Sequence, residues 1–544
     1  MITRLTRIAL SLSVLMIGTL AAFSQTQPSP PVQPNAPLEL PDFLVTGKAV
    51  VDIAAGAKAL PSRPPTFSLS ELDSLNPTEK LPPPLAARRP LPLFTRKERS
   101  SPGYVDLSGG AYLTPALEAG YSLRTGGYTL DLGTHVEHSQ GWVENSGYTT
   151  IQANLNSSYV APEKFLYFGK GLTETDLQIR QQSYALYGDT LLGRERSSTA
   201  ITAAVTTEAK VDNTDITGRF GWSRTGLKTS ASDSLAEESA TDNSITAGVS
   251  ALWTQGGSGR SAIDVDLRLQ SLNGKSYTFI EALYQRRWKG QAWSYAIAGG
   301  PQLGSTTTGE TRLGLRVVGM GQTDLTSNST VRIELASGLR PTSYREQLQA
   351  NPYIVDSVNL DHAYDLVDAR VSLAYQPSVV TSMLFTAGFR STSRERTWED
   401  ATQGRFILSY RPVTALWAAA EGTHAVTARD VVIGDLQLTT AASDSGRTQT
   451  YVPLLRATLC YERLWSSQVR SSLSVLYTSQ RWADVGNTRT VDGFIDLRAA
   501  VVYAASATVD VELRGENLVD SSVFLWNGYR GRGIFVRLGI LWKL

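Results

Sequence analysis

From Gly103 onward the chain repeats an alternation of period two, and the second face carries full charges. In AIDVDLRLQ, Ile263, Val265, Leu267 and Leu269 alternate with Asp264, Asp266, Arg268 and Gln270. In VELRG and the residues before it, Val509, Val511 and Leu513 alternate with Asp510, Glu512 and Arg514. Val367, Ala369, Val371, Leu373 and Tyr375 form another such row, as do Tyr128, Leu130, Leu132 and Val136. A fifth comprises Val491, Ile495, Leu497, Val501 and Tyr503. Period two means strands with one apolar and one polar face. These strands run about ten residues, where strands of soluble proteins run nearer five or six. About ten tilted residues cross a bilayer. A soluble sandwich would have to cover every apolar face with a second sheet. A closed barrel needs only lipid outside and water inside.

The links between strands support the same fold. Short links follow Arg124, Val160, Gln255, Trp288, Thr323, Gln376 and Ala504. Longer ones are expected at 140–147, 225–242, 341–365, 391–401, 427–448, 483–488 and 517–530. Short turns at one end and long loops at the other characterise membrane barrels. Two links, near Leu113 and Lys275, are short on the long-loop side, and the stretch 165–196 reads as a strand plus a loop. The expected fold is all-β: a transmembrane antiparallel β-barrel of about 22 strands, within a range of about 16–22. A large soluble β-protein such as a propeller would show a repeat of fixed period, and none is visible.

Ahead of the alternating region, Arg4 and Arg7 precede an apolar run ending near Leu20, with small residues Ala22 and Ser24 after it. This reads as a signal peptide, 1–24; the run is short for a membrane anchor. Residues 25–102 are proline-rich, as in LPPPLAARRPLPL, and read as an extended periplasmic arm that buries no core. The barrel is expected over 103–544, in the outer membrane of a Gram-negative-type bacterium, in contact with outer-membrane lipid.

The last strand, which ends in RLGILWKL, keeps the alternation to its end: Ile534, Val536, Leu538, Ile540, Trp542 and Leu544 form one row. Arg537, Gly539, Trp542 and Leu544 resemble the C-terminal β-signal read by the outer-membrane assembly machinery, with Leu544 where an aromatic is usual. The stretch before it resembles the closing hairpin of TonB-dependent receptors through Asn517-Leu518, Asp520, Gly528-Tyr529 and Gly531-Arg532. Residues around Asn351-Pro352-Tyr353 resemble an outer loop of that family. Glu39 to Gly47, with Phe43, Leu44, Val45, Thr46 and Gly47 at its centre, is similar to the Ton box, which pairs with TonB as an added strand. The resemblance implies a transport barrel and TonB, or another periplasmic protein, as a partner of the arm. Members of the family carry a globular plug before the barrel. Here the interval is too short and too proline-rich for one.

No cofactor, metal or catalytic site is expected, and no enzyme. The single cysteine, Cys460, allows no disulfide or thiolate cage, and four histidines are few. His135 and Glu137 share a face but lack a third ligand type, so they read as polar lining. The net charge of +1 and the lack of a basic stripe argue against nucleic acid. Two functions are expected: solute transport, including porin-like passage, or a structural barrel that docks a periplasmic partner through its arm. An open barrel of this size would leak, so the arm, inward loops or a partner should fill it.

Overall fold

The computed structural model describes residues 102–163, 169–188, 193–232, 235–255, 259–401 and 404–544. The expected leader, the proline-rich arm and the Ton-box-like residues Phe43, Leu44, Val45, Thr46 and Gly47 lie outside the described residues. Twenty-two strands form one antiparallel sheet in which sequence neighbours pair. The first, Gly103–Gly110, also pairs with the last, Phe535–Lys543, from Tyr104 opposite Lys543 to Gly110 opposite Arg537. The sheet is therefore a closed barrel without edges, with the strand number that the alternation predicts. No described helix is long and apolar enough to cross a membrane; the crossing is made by strands.

Parity along each strand separates two environments. On the closing strand Val536, Leu538, Ile540 and Trp542 are exposed on the outside. Trp542 stands between Val105 and Val509, and Leu538 between Gly109 and Leu513. Val371 and Leu513 are likewise exposed, and Leu267 shares its row with exposed Ile263, Val265 and Leu269. Such a continuous apolar surface suits lipid and would be untenable in water. The opposite parity fills the lumen with ion pairs: Arg219–Asp266 at 3.1 Å, Arg514–Glu512 at 2.7 Å and Lys543–Asp510 at 3.0 Å.

The two barrel ends differ as expected. Two residues, Gly126 and Gly127, join Thr114–Thr125 to Tyr128–Ser139 at the turn end. Asn273 and Gly274 make a short link at the loop end, with φ of 51° and 80°, the left-handed pair a tight hairpin needs. Three expected boundaries are corrected. The link expected at 391–401 is mostly strand: Thr381–Asp400 runs on, paired up to Asp400 opposite Phe406 across a bulge after Thr392. Its charged run stays in the sheet because Arg411 reaches Glu399 across the pair at 2.9 Å. The loop expected at 427–448 contains the strand Asp430–Ser443, whose alternation Gly434 and Asp435 obscure. Thr427 consequently lies in a turn at the opposite end, bonded to Asp430. The loop expected at 225–242 shrinks to 230–237, since Thr214–Thr229 and Glu238–Gln255 extend above the lipid-facing rows. Val491 also leaves the lipid row: its barrel strand begins at Phe494, and Val491 is buried in a small hairpin opposite Arg481.

Candidate functional site: a lumen capped by loops

At the loop end, links from far-apart parts of the barrel share one apolar core. Tyr344, Leu348, Ile354 and Leu360 come from 341–362, Tyr451 from 444–454, Val491 from 479–493, and Trp526 and Tyr529 from 517–534. Trp398, Phe406, Leu227 and Leu272 reach the same core from strand tops. These strands lie on opposite sides of the barrel, so the links meet across its mouth. Trp526 packs on Tyr451 at 4.7 Å and Phe406 at 5.0 Å between ring centroids. Edge-to-face and tilted aromatic packing of this kind adds to the burial of the rings.

The longest link, 341–362, is anchored by charge as well as by packing. Its short helix, Tyr344–Ala350, is capped by Ser343, which accepts a hydrogen bond from the Glu346 amide. Beyond the helix, Arg196 donates from Nη1 to the carbonyls of Pro352 (3.0 Å) and Ile354 (2.7 Å), and from Nη2 to Asp356 (2.9 Å). Arg196 and Asp356 are both buried. Thr229 donates to the same carboxylate, so both charges are fully engaged. Tyr184 donates to the Pro352 carbonyl at 2.7 Å.

The family-like residues converge here. Tyr353 stacks on Tyr529 with centroids 3.4 Å apart, and Tyr187 meets Tyr529 edge-on at 5.0 Å. Gly528 has φ of 83° and approaches the Gly188 backbone, where a Cβ would crowd the carbonyl. Asn517 holds the base of the closing loop: its amide nitrogen donates to the carbonyls of Ser521 and Arg532, each at 2.9 Å. The Asp520 amide returns to the Asn517 carbonyl, the Leu518 amide donates to Leu497, and the Gly531 amide donates to Val523. Arg532 meets Glu137 at 3.0 Å and lies over the Phe535 ring at 4.7 Å.

Glu137 is thus occupied by Arg532 and Tyr148, while His135 stands 3.9 Å away. Among the described residues no group of three or more His, Cys, Asp or Glu could hold a metal ion. Arg537 and Gly539 face the lumen side of the closing strand, and Trp542 and Leu544 face outward. Below the cap the lumen holds a cavity of about 1080 Å³, lined by Asp266, Glu281, Arg287, Arg316, Glu334 and Arg370 among others. Sequence reading missed Arg196, Asp356, Tyr187 and Trp526. The aromatics concentrated in the long links were the trace of Tyr187 and Trp526; Arg196 and Asp356 left none.

No protein-family model matches this sequence, and no curated protein does. Solved structures do match the fold. The copper transporter OprC superposes with a TM-score of 0.66 at 9% identity, over 82% of this chain and 81% of that one. The FrpB iron transporter from Neisseria meningitidis gives 0.65 at 8% identity, over 83% of each chain. The ferric-catecholate import receptor Fiu from E. coli K12 gives 0.60 at 12% identity, over 82% of each chain. The chain therefore has the 22-strand barrel fold of the TonB-dependent receptors.

Proposed function

We propose that the barrel carries a solute across the outer membrane and that the loop cap is its gate at the outer face. The observation that carries this reading is an apolar, aromatic cap laid over a charged lumen. The cavity of about 1080 Å³ beneath that cap gives a solute room in the lumen. The solved neighbours titled as transporters and import receptors support the same reading. In this reading the loop end faces outward, and the arm lies in the periplasm, where it engages TonB or another periplasmic protein. Arg537, Gly539, Trp542 and Leu544 then serve the assembly machinery as a β-signal.

Planar-bilayer recording of the purified full chain tests the gate. The wild type should conduct little, because the links cover the mouth. Tyr353→Ala combined with Tyr529→Ala removes the stacked pair at the centre of the cap. Each large-to-small change in a packed core costs about 3–5 kcal/mol, which is enough to loosen links without breaking the strand ladder. The double variant should show large conductance steps while keeping heat-modifiable migration on a gel. A folded double variant that stays silent would remove the lumen as a path and leave the docking role.

A further inference from the structure

Under the link 444–454, the wall formed by the strands Thr381–Asp400, Phe406–Ala425 and Asp430–Ser443 encloses a second cavity of about 70 Å³. A water needs about 10–15 Å³ of such space, so this one has room for an oxyanion group. Its lining carries four guanidiniums, Arg340, Arg390, Arg396 and Arg456, and a single carboxylate, Glu395. Arg340 is paired with Glu395 and lies 3.5 Å from Asp365. Arg396 donates to the Gln347 side chain at 3.2 Å. Arg390 donates to Asp368 from both Nε (3.0 Å) and Nη2 (2.5 Å), and its guanidinium lies 6.0 Å from the Trp417 ring centre.

Buried guanidinium nitrogens without a partner occur in the lining and in the hairpin above it. Arg390 is only 3% exposed, yet its Nη1 has no hydrogen-bond partner. Arg481, 2% exposed and in the hairpin above, donates through Nη2 to the Leu525 carbonyl, while its Nε and Nη1 have no partner. Burial and the nearby charge of Arg456 push the Arg481 guanidinium down to about 10. A buried charged donor without an acceptor is costly, and the planar fork of arginine matches carboxylate and phosphate oxygens. Trp417, Val413 and Val452 supply an apolar side to the same cavity.

We propose that this cavity binds the oxyanion group, carboxylate or phosphate, of a small solute held beneath the cap. The inference rests on the transport reading for its purpose and adds the chemical class of the solute. Calorimetric titration of the purified full chain in detergent, with inorganic phosphate and separately with malonate, tests it. Saturable binding of either probe is expected, and the probe that binds identifies the oxyanion. Arg390→Gln and Arg456→Gln should each weaken binding at least tenfold while keeping heat-modifiable migration; should one fail to fold, the other carries the test. Arg219→Gln, on a distant part of the wall with Asp266 as its own partner, should leave the affinity unchanged. Binding of neither anion, or binding that survives the arginine substitutions, overturns the site. The bilayer recordings are independent of it: a gate that opens without anion binding removes this site and leaves transport standing.

Discussion

His362 ties the longest link to the barrel through one ring nitrogen. Its Nε2 lies 3.1 Å from the carbonyls of both Thr278 and Ser305, and its buried Nδ1 has no partner. The neutral ring suits this place; the charged ring would bury an N–H without an acceptor. Burial accordingly lowers its pKa and the charge of Arg268 adds to that, against the two carbonyls and Asp361, which raise it. A folded pKa below the unfolded value of about 6.5 gives stability that is present above that pH and lost as pH falls toward the folded value. Limited proteolysis of the link 341–362 should therefore show constant protection from pH 8 down to about 6.5 and declining protection below it. His362→Gln should flatten the profile; a wild-type profile already flat to pH 5 would count against this role. The opposite side of the barrel wall tests a different residue-level rule. Leu513→Arg or Val371→Arg places a charge on the lipid face and should cost about 2–4 kcal/mol, whereas Ser372→Arg, on the lumen face, should cost less. Unfolding in a urea gradient in detergent or lipid reads the difference. Equal costs on both faces would contradict the lipid-facing assignment.

The strand was the element most legible in the sequence, because a period of two states directly which residues face lipid. Ile534 to Leu544 read as one row and are one row. Legibility failed where composition broke the rhythm, as at Gly434-Asp435, or where a strand outran the membrane, as Thr381–Asp400 does. Above the lipid the outer face is no longer required to be apolar, so the pattern that marks a strand disappears although its pairing continues. The cap was illegible for another reason. Tyr187, Tyr353 and Tyr529 meet only because the barrel brings distant links together, and no local period records that. The closing strand makes the clearest test at this scale. It pairs with Gly103–Gly110 on one side and Val509–Glu516 on the other. Trp542→Asp with Leu544→Asp should block stable insertion: the charges face the membrane boundary, and loss of this strand's pairing would expose amides and carbonyls to hydrocarbon. Lys543→Gln is the matched lumen-side control; an Asp there would instead set two carboxylates together, since Lys543 holds Asp510. Recovery in the outer-membrane fraction and heat-modifiable migration measure the outcome. A double variant that inserts normally would show that closure tolerates charge at this seam.

For the whole molecule, the arrangement separates two jobs by height. The lipid-crossing zone is held by strand pairing and side-chain parity, and its ion-paired lumen keeps the charges of the inward rows matched. The loop end is held by an apolar core built from links, with the buried Arg196–Asp356 pair anchoring the longest of them. Because the two are stabilised by different interactions, the cap can loosen while the wall stays closed, which a gate requires. The same division fixes an orientation that tags can read. Links 444–454 and 479–493 belong to the loop end, joined to each other where Asn487 donates to the Thr448 carbonyl and accepts from the Thr448 amide. Ala428 lies in the turn that joins Phe406–Ala425 to Asp430–Ser443 at the other end. An epitope inserted between Ser445 and Gly446, or between Val485 and Gly486, should be detected on intact cells. One inserted after Ala428 should be detected only once the outer membrane is opened. The three sites discriminate because one strand, Asp430–Ser443, separates the Ala428 site from the Ser445 site, and an odd number of crossings must place them on opposite faces. Both tags visible on intact cells would mean that this strand does not cross the membrane, and the barrel would lose the even strand count on which its closure depends. Reversed accessibility would keep the barrel but turn the cap toward the periplasm, and with it the gate.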